Sequence, residues 1–190
     1  PEIICPAFVN VYYCFSWSRS GKLVSRLGCP VECSRLKERT QMITNSQSGT
    51  NIVEISEGIF RINTPVPIQS IPGGFSFNQY LILDETPLLF HTGPRRLFPL
   101  VSDAVQKVMD IKKLAYIGLS HFEADECGCL NEFFELAPEA QPLCGRIAAM
   151  TSIQDMFDRS ARVMLDNERL ELGKHKIRWF DTPHMPHGWE

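Results

Sequence analysis

Apolar and polar residues alternate along the stretch that begins near Asn51. Val53 and Ile55 precede a Glu-Gly turn, and Phe60 and Ile62 follow it, with one polar residue inside each pair. A period of two residues is typical of a half-buried β-hairpin. Further apolar runs, set off by proline and glycine, predict two more strands, at residues 75–83 and 88–90.

The middle of the chain changes from a strand period to a helical one. Apolar residues recur there at intervals of three and four, which predicts an amphipathic helix over residues 101–112. The continuous apolar run at 114–119 predicts a buried strand. Downstream, the pattern predicts helices at 129–136 and 146–157, a short strand at 141–144 and hairpin strands within 162–180. This alternation of strands and helices predicts an α/β (α+β) sandwich.

Residues 1–50 show neither period. They contain four of the seven cysteines and six basic residues against three acidic ones, and they end in a polar stretch, residues 40–50, that is typical of a linker. The pattern therefore divides the chain into an N-terminal appendage, residues 1–50, and a domain, residues 51–190. The chain starts at a proline and stops directly after a dense polar string, so we expect this domain to be truncated at its C-terminus.

Composition narrows the range of partners. With 190 residues, 44% of them apolar, the chain is long enough for one sizeable core. A net charge of −3 gives no electrostatic reason to expect nucleic acid or a membrane surface as a partner. No apolar run approaches the roughly 20 residues of a membrane-spanning helix, and seven cysteines without a compact spacing favour reduced thiols, so a cytoplasmic protein is expected.

A candidate metal site follows the predicted strand at 114–119. His121, Glu123 and Asp125 stand at two-residue spacing, and on a loop three such side chains can surround one ion. One imidazole and two carboxylates make a mixed nitrogen and oxygen donor set, unlike the thiolates of many structural zinc sites. An isolated His-x-Glu-x-Asp match is more often an exposed polar loop. The preceding strand and a second histidine cluster about 60 residues later favour a metal site.

The residues around this site resemble one known family. The string at 120–128 resembles the metal-binding motif of flavodiiron proteins and of their stand-alone oxygen-binding diiron relatives, which share the metallo-β-lactamase fold. The segments at 166–173, 177–183 and 186–190 are similar to the next stretch of that family. The resemblance covers about residues 51–190 and implies a partial metallo-β-lactamase-like αββα sandwich.

Carried over residue by residue, the resemblance implies a set of metal ligands: His121, Glu123, Asp125 and His187. His184 is the alternative to His187, either as a ligand or as a residue that orients one. Glu126 stands where many members of the superfamily have another histidine, and His91 stands where relatives usually have aspartate; both are candidates for orienting the ligands. The family completes its site with an aspartate and a histidine beyond Glu190, so the site is expected to be incomplete.

The resemblance implies a non-haem diiron protein that binds, senses or reduces dioxygen, with nitric oxide as the other candidate. The expected cofactor is a pair of iron ions, with zinc as the alternative, and no flavin is expected in this chain. Turnover then requires an external electron donor such as a rubredoxin or a flavodoxin-type protein, and a homodimer stays open. The alternatives are a zinc-dependent hydrolase of the same fold or a truncated non-catalytic fragment. Glu123 favours iron, because hydrolytic members typically have histidine there.

Other histidines and cysteines are assigned simpler roles. His175 is predicted to be a solvated residue in a turn. Cys127 and Cys129, beside the metal motif, are predicted to be inert buried thiols. Cys29 and Cys33 lack a matching second pair, so they are only a weak indication of a zinc site.

Overall fold

The computed structural model describes residues 2–4, 41–67, 74–157, 159–184 and 188–189. Its strands, in chain order, are β1 (Glu2–Ile4), β2 (Met42–Asn45), β3 (Thr50–Ser56), β4 (Ile59–Val66), β5 (Phe75–Ile82), β6 (Leu88–Phe90), β7 (Tyr116–Gly118), β8 (Gln141–Gly145), β9 (Arg162–Met164), β10 (Arg169–Glu171), β11 (Lys176–Arg178), β12 (Pro183–His184) and β13 (Gly188–Trp189). The strands predicted at 75–83, 88–90 and 141–144 are confirmed to within a residue.

Strands β2 to β9 form one sheet in which neighbours along the chain are also neighbours in space. Pairing is antiparallel from β2 to β6 and parallel from β6 to β9. A smaller sheet has the order β1-β11-β10, and β12 pairs with β13. Because β6, β7 and β8 are parallel, their carboxyl ends lie at the same edge of the large sheet.

The helices are α1 (Phe98–Gln106), α2 (Ala124–Cys127), α3 (Leu130–Leu136), α4 (Arg146–Ala148) and α5 (Gln154–Met156), with a π-helical segment, Ala149–Ile153, between the last two. Helix α1 begins and ends earlier than the predicted 101–112. Pro99 is tolerated in its first turn, where the missing N–H would have no partner in the helix. Asp110 is extended, and its carboxylate accepts a hydrogen bond from the backbone N–H of Lys112, which begins a separate 3₁₀ turn.

Buried side chains pack on both faces of the large sheet. On one face, Val101 of α1 and Phe133 of α3 pack with Ile117 of β7. On the other, Ile82 of β5 packs with Ile177 of the small sheet. The described residues therefore form a helix layer and two sheet layers, which confirms the predicted α/β sandwich. No helix in this described part is both long and apolar enough to cross a bilayer.

The polar stretch at 40–50, predicted to be a linker, contains an edge strand instead. Strand β2 pairs antiparallel with β3. The turn between them is shaped by Asn45, whose side-chain oxygen accepts hydrogen bonds from the backbone N–H groups of Gln47 (3.1 Å) and Ser48 (2.9 Å). Such local polar contacts build a hairpin without apolar alternation, so the pattern does not reveal it. The division of the chain at residue 50 stays a prediction.

His175 is buried, so the prediction of a solvated turn residue is wrong. Its Nδ1 lies 2.6 Å from a carboxylate oxygen of Asp84, and its Nε2 lies 2.9 Å from the carbonyl oxygen of Glu57. The backbone N–H groups of Lys174 and His175 also donate to Asp84. The imidazole and the carboxylate therefore join three turns that are far apart along the chain.

Substitution of Asp84 is expected to remove an acid-sensitive part of the stability. Burial alone would raise the pKa of Asp84, but backbone N–H donors and the His175 imidazole lower it from 3.8 to about 2. A carboxyl group whose pKa is lower in the folded state stabilises the fold above its unfolded pKa and loses that effect as the pH falls through the folded value. We expect Asp84→Asn to lower the free energy of unfolding by about 2 kcal/mol at neutral pH.

Urea denaturation at a series of pH values measures this effect. The difference between the parent protein and Asp84→Asn should shrink as the pH falls from about 4 to about 2. Asp103→Asn, at an exposed position of α1, is the matched control and should leave the free energy of unfolding nearly unchanged. A difference for Asp84→Asn that does not depend on pH would contradict the assignment.

Candidate metal centre

Two loops meet at the edge of the large sheet where its parallel strands end. Strand β6 leads into residues 91–94, and β7 leads into residues 119–123, which α2 follows. The backbone N–H of His91 donates to the carbonyl of Gly118 at 2.8 Å, so the two loops begin side by side. Loops held by a rigid sheet are a common location for binding residues.

One imidazole and two carboxylates converge in the second loop and α2. His121 Nε2 lies 3.4 Å from Glu123 Oε2 and 3.9 Å from Glu126 Oε2. One ligand atom from each residue lies within 4.8 Å of the other two. Nitrogen and oxygen ligands bind a metal such as zinc at roughly 2.0–2.2 Å, so the ligands of one ion lie about 3 to 4 Å apart. The two carboxylate oxygens lie within this range of His121 Nε2, so these three residues are candidates to hold one metal ion.

The cluster is buried on one side and open on the other. The side chains of His121 and Glu126 are 13% and 5% exposed, whereas that of Glu123 is 33% exposed. Bringing carboxylates together away from water is costly unless a cation or hydrogen-bond donors compensate their charge. A bound cation would supply that compensation, so the donor set fits a metal ion.

Helix α2 explains why Glu123 and Glu126 lie together. Glu123 is extended and occupies the N-cap, and its carbonyl accepts hydrogen bonds from the backbone N–H groups of Glu126 (3.1 Å) and Cys127 (2.9 Å). Residues three apart across such a turn lie on the same side of it. The sequence pattern predicts an irregular loop here, because a helix of four residues is too short to show a period. The spacing of the two glutamates is the signal that indicates the turn.

The other predicted ligands are placed differently. Asp125 is half-buried in the first turn of α2, and its carboxylate is not part of the cluster of three ligand atoms. Its negative charge acts on His91, so Asp125 also lies near this edge of the sheet. His184 lies in β12, but its side chain and the whole of His187 lie outside the described residues. Ligation by these three residues stays a prediction.

His91 lies next to the cluster in a strained conformation. Its φ of +64° is in the left-handed region, which residues other than glycine seldom adopt. The ring is buried and stacks on Phe90, with 4.6 Å between the ring centroids. Burial lowers the pKa of His91 to about 3, and the neighbouring His121 imidazole acts in the same direction. The ring is therefore neutral near pH 7 and has a nitrogen that can accept a hydrogen bond.

The first loop holds α2 through hydrogen bonds. The backbone N–H groups of Thr92 and Gly93 donate to the carbonyl of Glu126 at 2.6 and 3.2 Å. The Thr92 hydroxyl oxygen accepts from the backbone N–H of Cys129 at 3.2 Å. The backbone is thus attached to the loop that follows β6 at two points, Glu126 and Cys129.

The two cysteines of the motif are buried and protonated. The Cys127 thiol donates to the carbonyl of Glu123 at 2.9 Å, and the Cys129 thiol donates to that of Pro94 at 3.1 Å. Burial raises the pKa of each thiol to about 12, and the charge of Glu126 adds to this effect at Cys127. The prediction that both thiols are buried is confirmed. A thiolate is the reactive and metal-binding form, and that these protonated thiols are inert stays a prediction.

Substitution of Gly128 by alanine is expected to displace α2. A Cβ at this position would lie 2.4 Å from the carbonyl oxygen of Ala124 and 3.0 Å from the backbone nitrogen of Arg95. Because both atoms belong to the main chain, they cannot move aside by side-chain rotation. We expect Gly128→Ala to lower the free energy of unfolding by about 2 kcal/mol and to weaken metal binding, as measured by urea denaturation and by competition with a chelator.

Gly145 provides the matched control. It has an ordinary φ of −68°, and the nearest atom to a Cβ placed there is 3.6 Å away on the Trp179 ring. Gly145→Ala should therefore leave both measurements nearly unchanged. Equal effects of the two substitutions would contradict a specific constraint at Gly128.

Comparisons with known proteins match this part of the chain. A family model described as ODP family beta lactamase matches residues 75–187. The putative diflavin flavoprotein A 2 of Nostoc sp. is 29% identical over 119 residues, which cover 60% of this chain and 20% of that protein. The nitric oxide reductase of Moorella thermoacetica is 28% identical over 127 residues, which cover 63% of this chain and 31% of that protein.

Solved structures have the same fold. The rubredoxin oxygen:oxidoreductase of Desulfovibrio gigas has a TM-score of 0.63 at 24% sequence identity, and the likeness covers 73% of this chain and 37% of that one. The chain spans between a fifth and a third of the two curated relatives described above. The resemblance to flavodiiron proteins that the motif predicts is confirmed by these matches. The family model, at residues 75–187, includes the three residues of the cluster.

Proposed function

Since this chain belongs to the ODP family of beta lactamases, we propose that it contains the metal-binding part of a non-haem diiron protein that binds, senses or reduces dioxygen. The observation that carries the proposal is the convergence of His121, Glu123 and Glu126 at the carboxyl ends of the parallel strands. Names among the matched relatives, nitric oxide reductase and rubredoxin-oxygen oxidoreductase, support dioxygen or nitric oxide as the ligand.

The donor set favours iron. Imidazole nitrogen and carboxylate oxygen both bind ferrous iron, and two anionic oxygens stabilise the higher charge of ferric iron. We assign His121, Glu123 and Glu126 to one ion, and Asp125 and His187 as further ligands of the pair. When bound, iron would supply the redox chemistry and would bind the diatomic gas.

The residues of this chain hold the ligands in place. The N-cap position orients Glu123, and hydrogen bonds from Thr92 and Gly93 attach the backbone of Glu126 to the neighbouring loop. Groups that are already oriented need little rearrangement when charge changes at a site. Glu123 is the most exposed member of the cluster, so we place the entry of a small ligand on its side.

Electrons are required for turnover and not for binding. The proposal includes no flavin in this chain, so repeated reduction of dioxygen or nitric oxide requires an external donor such as a rubredoxin or a flavodoxin-type protein. The name rubredoxin-oxygen oxidoreductase, given to a relative 28% identical over 113 residues, supports that class of donor. Binding or sensing of dioxygen requires only occasional re-reduction.

Metal content tests the proposal. Protein purified without oxygen is reconstituted with equal amounts of ferrous iron and zinc, desalted and analysed by plasma mass spectrometry. The absorbance of the iron-loaded protein is followed on exposure to dioxygen and, separately, to nitric oxide. We expect retained iron and a spectral change with at least one of the gases. Retention of zinc in preference to iron, with hydrolysis of an ester or thioester, would support a zinc hydrolase instead. Retention of neither metal would exclude a functional metal site.

A further inference from the structure

We propose that Ser120 and His91 are positioning residues that determine which nitrogen of His121 carries the proton, and that they thereby present His121 Nε2 to the metal. This inference rests on the proposed function, because it concerns how the chain prepares one ligand of the metal. His91 follows β6, and Ser120 and His121 follow β7, so the group joins the two loops of the site.

The hydrogen bonds in this group have a defined direction. The backbone nitrogen of Ser120 lies 3.3 Å from Nε2 of His91 and makes a hydrogen bond to it. A backbone N–H only donates, so this ring nitrogen accepts, and the neutral ring of His91 carries its proton on Nδ1. The Ser120 hydroxyl oxygen lies 3.0 Å from the same Nε2. At that distance the hydroxyl interacts favourably with Nε2 only as a second donor.

Because the Ser120 hydroxyl donates to His91, it can only accept a hydrogen bond from His121. Its oxygen also lies 3.0 Å from His121 Nδ1. The single hydroxyl proton is directed at His91, so the oxygen accepts a hydrogen bond from Nδ1–H of His121. In the reverse arrangement, lone pairs of the hydroxyl and of His91 Nε2 would face each other at 3.0 Å, which is repulsive.

This arrangement prepares His121 for a metal. With the proton of a neutral ring on Nδ1, Nε2 carries the lone pair that a metal ligand requires. Nε2 is also the nitrogen near the carboxylates of Glu123 and Glu126. A hydrogen bond from the other ring nitrogen is the usual way in which proteins orient a histidine ligand.

The backbone of His91 supports a specific role. Its φ of +64° is unusual for a residue other than glycine, and strain of this kind persists only where surrounding contacts hold it. The backbone N–H donates to the carbonyl of Gly118, and the ring stacks on Phe90. An apolar ring could make the packing contact with Phe90, whereas the contact with Ser120 requires a ring nitrogen that accepts a hydrogen bond.

Nitrogen-15 NMR of the histidine rings in metal-free protein tests the direction of these hydrogen bonds. The chain has five histidines, so signals can be assigned by single substitutions. Without metal, an Nε2–H of His121 can also donate to the carboxylates of Glu123 and Glu126, so the expected result is a proton on Nδ1, whether or not Nε2 carries a second one. Ser120→Ala should shift His121 toward the form protonated on Nε2, and Ser120→Thr, which keeps the hydroxyl, should restore the original form. Protonation of His121 on Nε2 alone in the parent protein would overturn the proposal.

Metal affinity provides the second readout. Anaerobic titration with ferrous iron against a competing chelator should show a loss of about 10- to 100-fold for Ser120→Ala, with recovery in Ser120→Thr. Ser152→Ala, at a half-buried serine of the π-helical segment, is the matched control and should bind as the parent does. An unchanged affinity in Ser120→Ala would overturn the proposal. If the parent binds no iron, the proposed function fails, while the NMR measurement still decides the direction of the hydrogen bonds.

Discussion

Replacement of Glu123 by glutamine is expected to lower the affinity of the protein for ferrous iron by about 100-fold or more. The substitution keeps the size of the side chain and removes one of the negative charges beside His121 Nε2. Loss of a residue that only orients a ligand already costs about 10- to 100-fold, so loss of a charged ligand should cost at least the upper value. Chelator competition, with plasma mass spectrometry of the desalted protein, measures the effect.

Two further substitutions test whether Asp125 or Glu126 completes the site with His121 and Glu123. The motif predicts Asp125 as a ligand, whereas the structure brings Glu126 together with His121 and Glu123. We expect Glu126→Gln to weaken the first equivalent of iron nearly as much as Glu123→Gln does, and Asp125→Asn to act mainly on a second equivalent.

Glu139 provides the matched control for these variants. It lies in an exposed turn before β8, so Glu139→Gln should bind iron as the parent protein does. If Glu123→Gln retained the affinity of the parent, this cluster would not be the metal site. If Asp125→Asn had the larger effect on the first equivalent, the assignment of Glu126 would be wrong.

Truncation of Phe133 to alanine is expected to lower the free energy of unfolding by about 3 to 5 kcal/mol. The side chain is fully buried in α3, and its ring packs edge-on against Phe98 with 5.3 Å between centroids. Its removal leaves a cavity between the helix layer and the large sheet, where apolar contacts and the transfer of the ring from water are both lost. Because α3 begins just after the metal motif, the variant should also bind iron less tightly at temperatures near its melting point.

Met150 is the control for this truncation. Its side chain lies in the π-helical segment and is 69% exposed. Met150→Ala should change the free energy of unfolding by no more than about 0.5 kcal/mol, because exposed positions away from special contacts contribute little. Urea denaturation of the two variants side by side makes the comparison. A loss below about 1 kcal/mol for Phe133→Ala would mean that the helix layer is not part of the cooperative core.

Most strands could be predicted because a strand buries one face or both. Apolar and polar residues alternate between Val53 and Ile62, as the hairpin β3–β4 requires. The apolar run at 114–119 contains β7, which is buried from both sides. Burial leaves a period in the sequence that depends only on the element itself. Strand β2 left no such period, because polar contacts at its turn shape it.

The candidate site could be located from the sequence but not assembled from it. His121 and Glu123 follow a buried strand, and the structure keeps them together. Glu126 lies beside them because the first turn of α2 places residues that are three apart on the same side. A helix of four residues is too short to produce a hydrophobic period that could be recognised in the sequence. The same turn separates Asp125 from the cluster.

The sequence by itself predicted the sandwich from its burial patterns and the family from the resemblance of its motif, because both depend on residues close together in the chain. Tertiary structure alone decided which side chains meet across the fold. His91 and Ser120 are 29 residues apart, and Asp84 and His175 are 91 apart. Contacts of that kind depend on the order and direction in which strands pair. A local pattern does not specify the partner, because burial of an apolar face is satisfied by any neighbour of suitable shape.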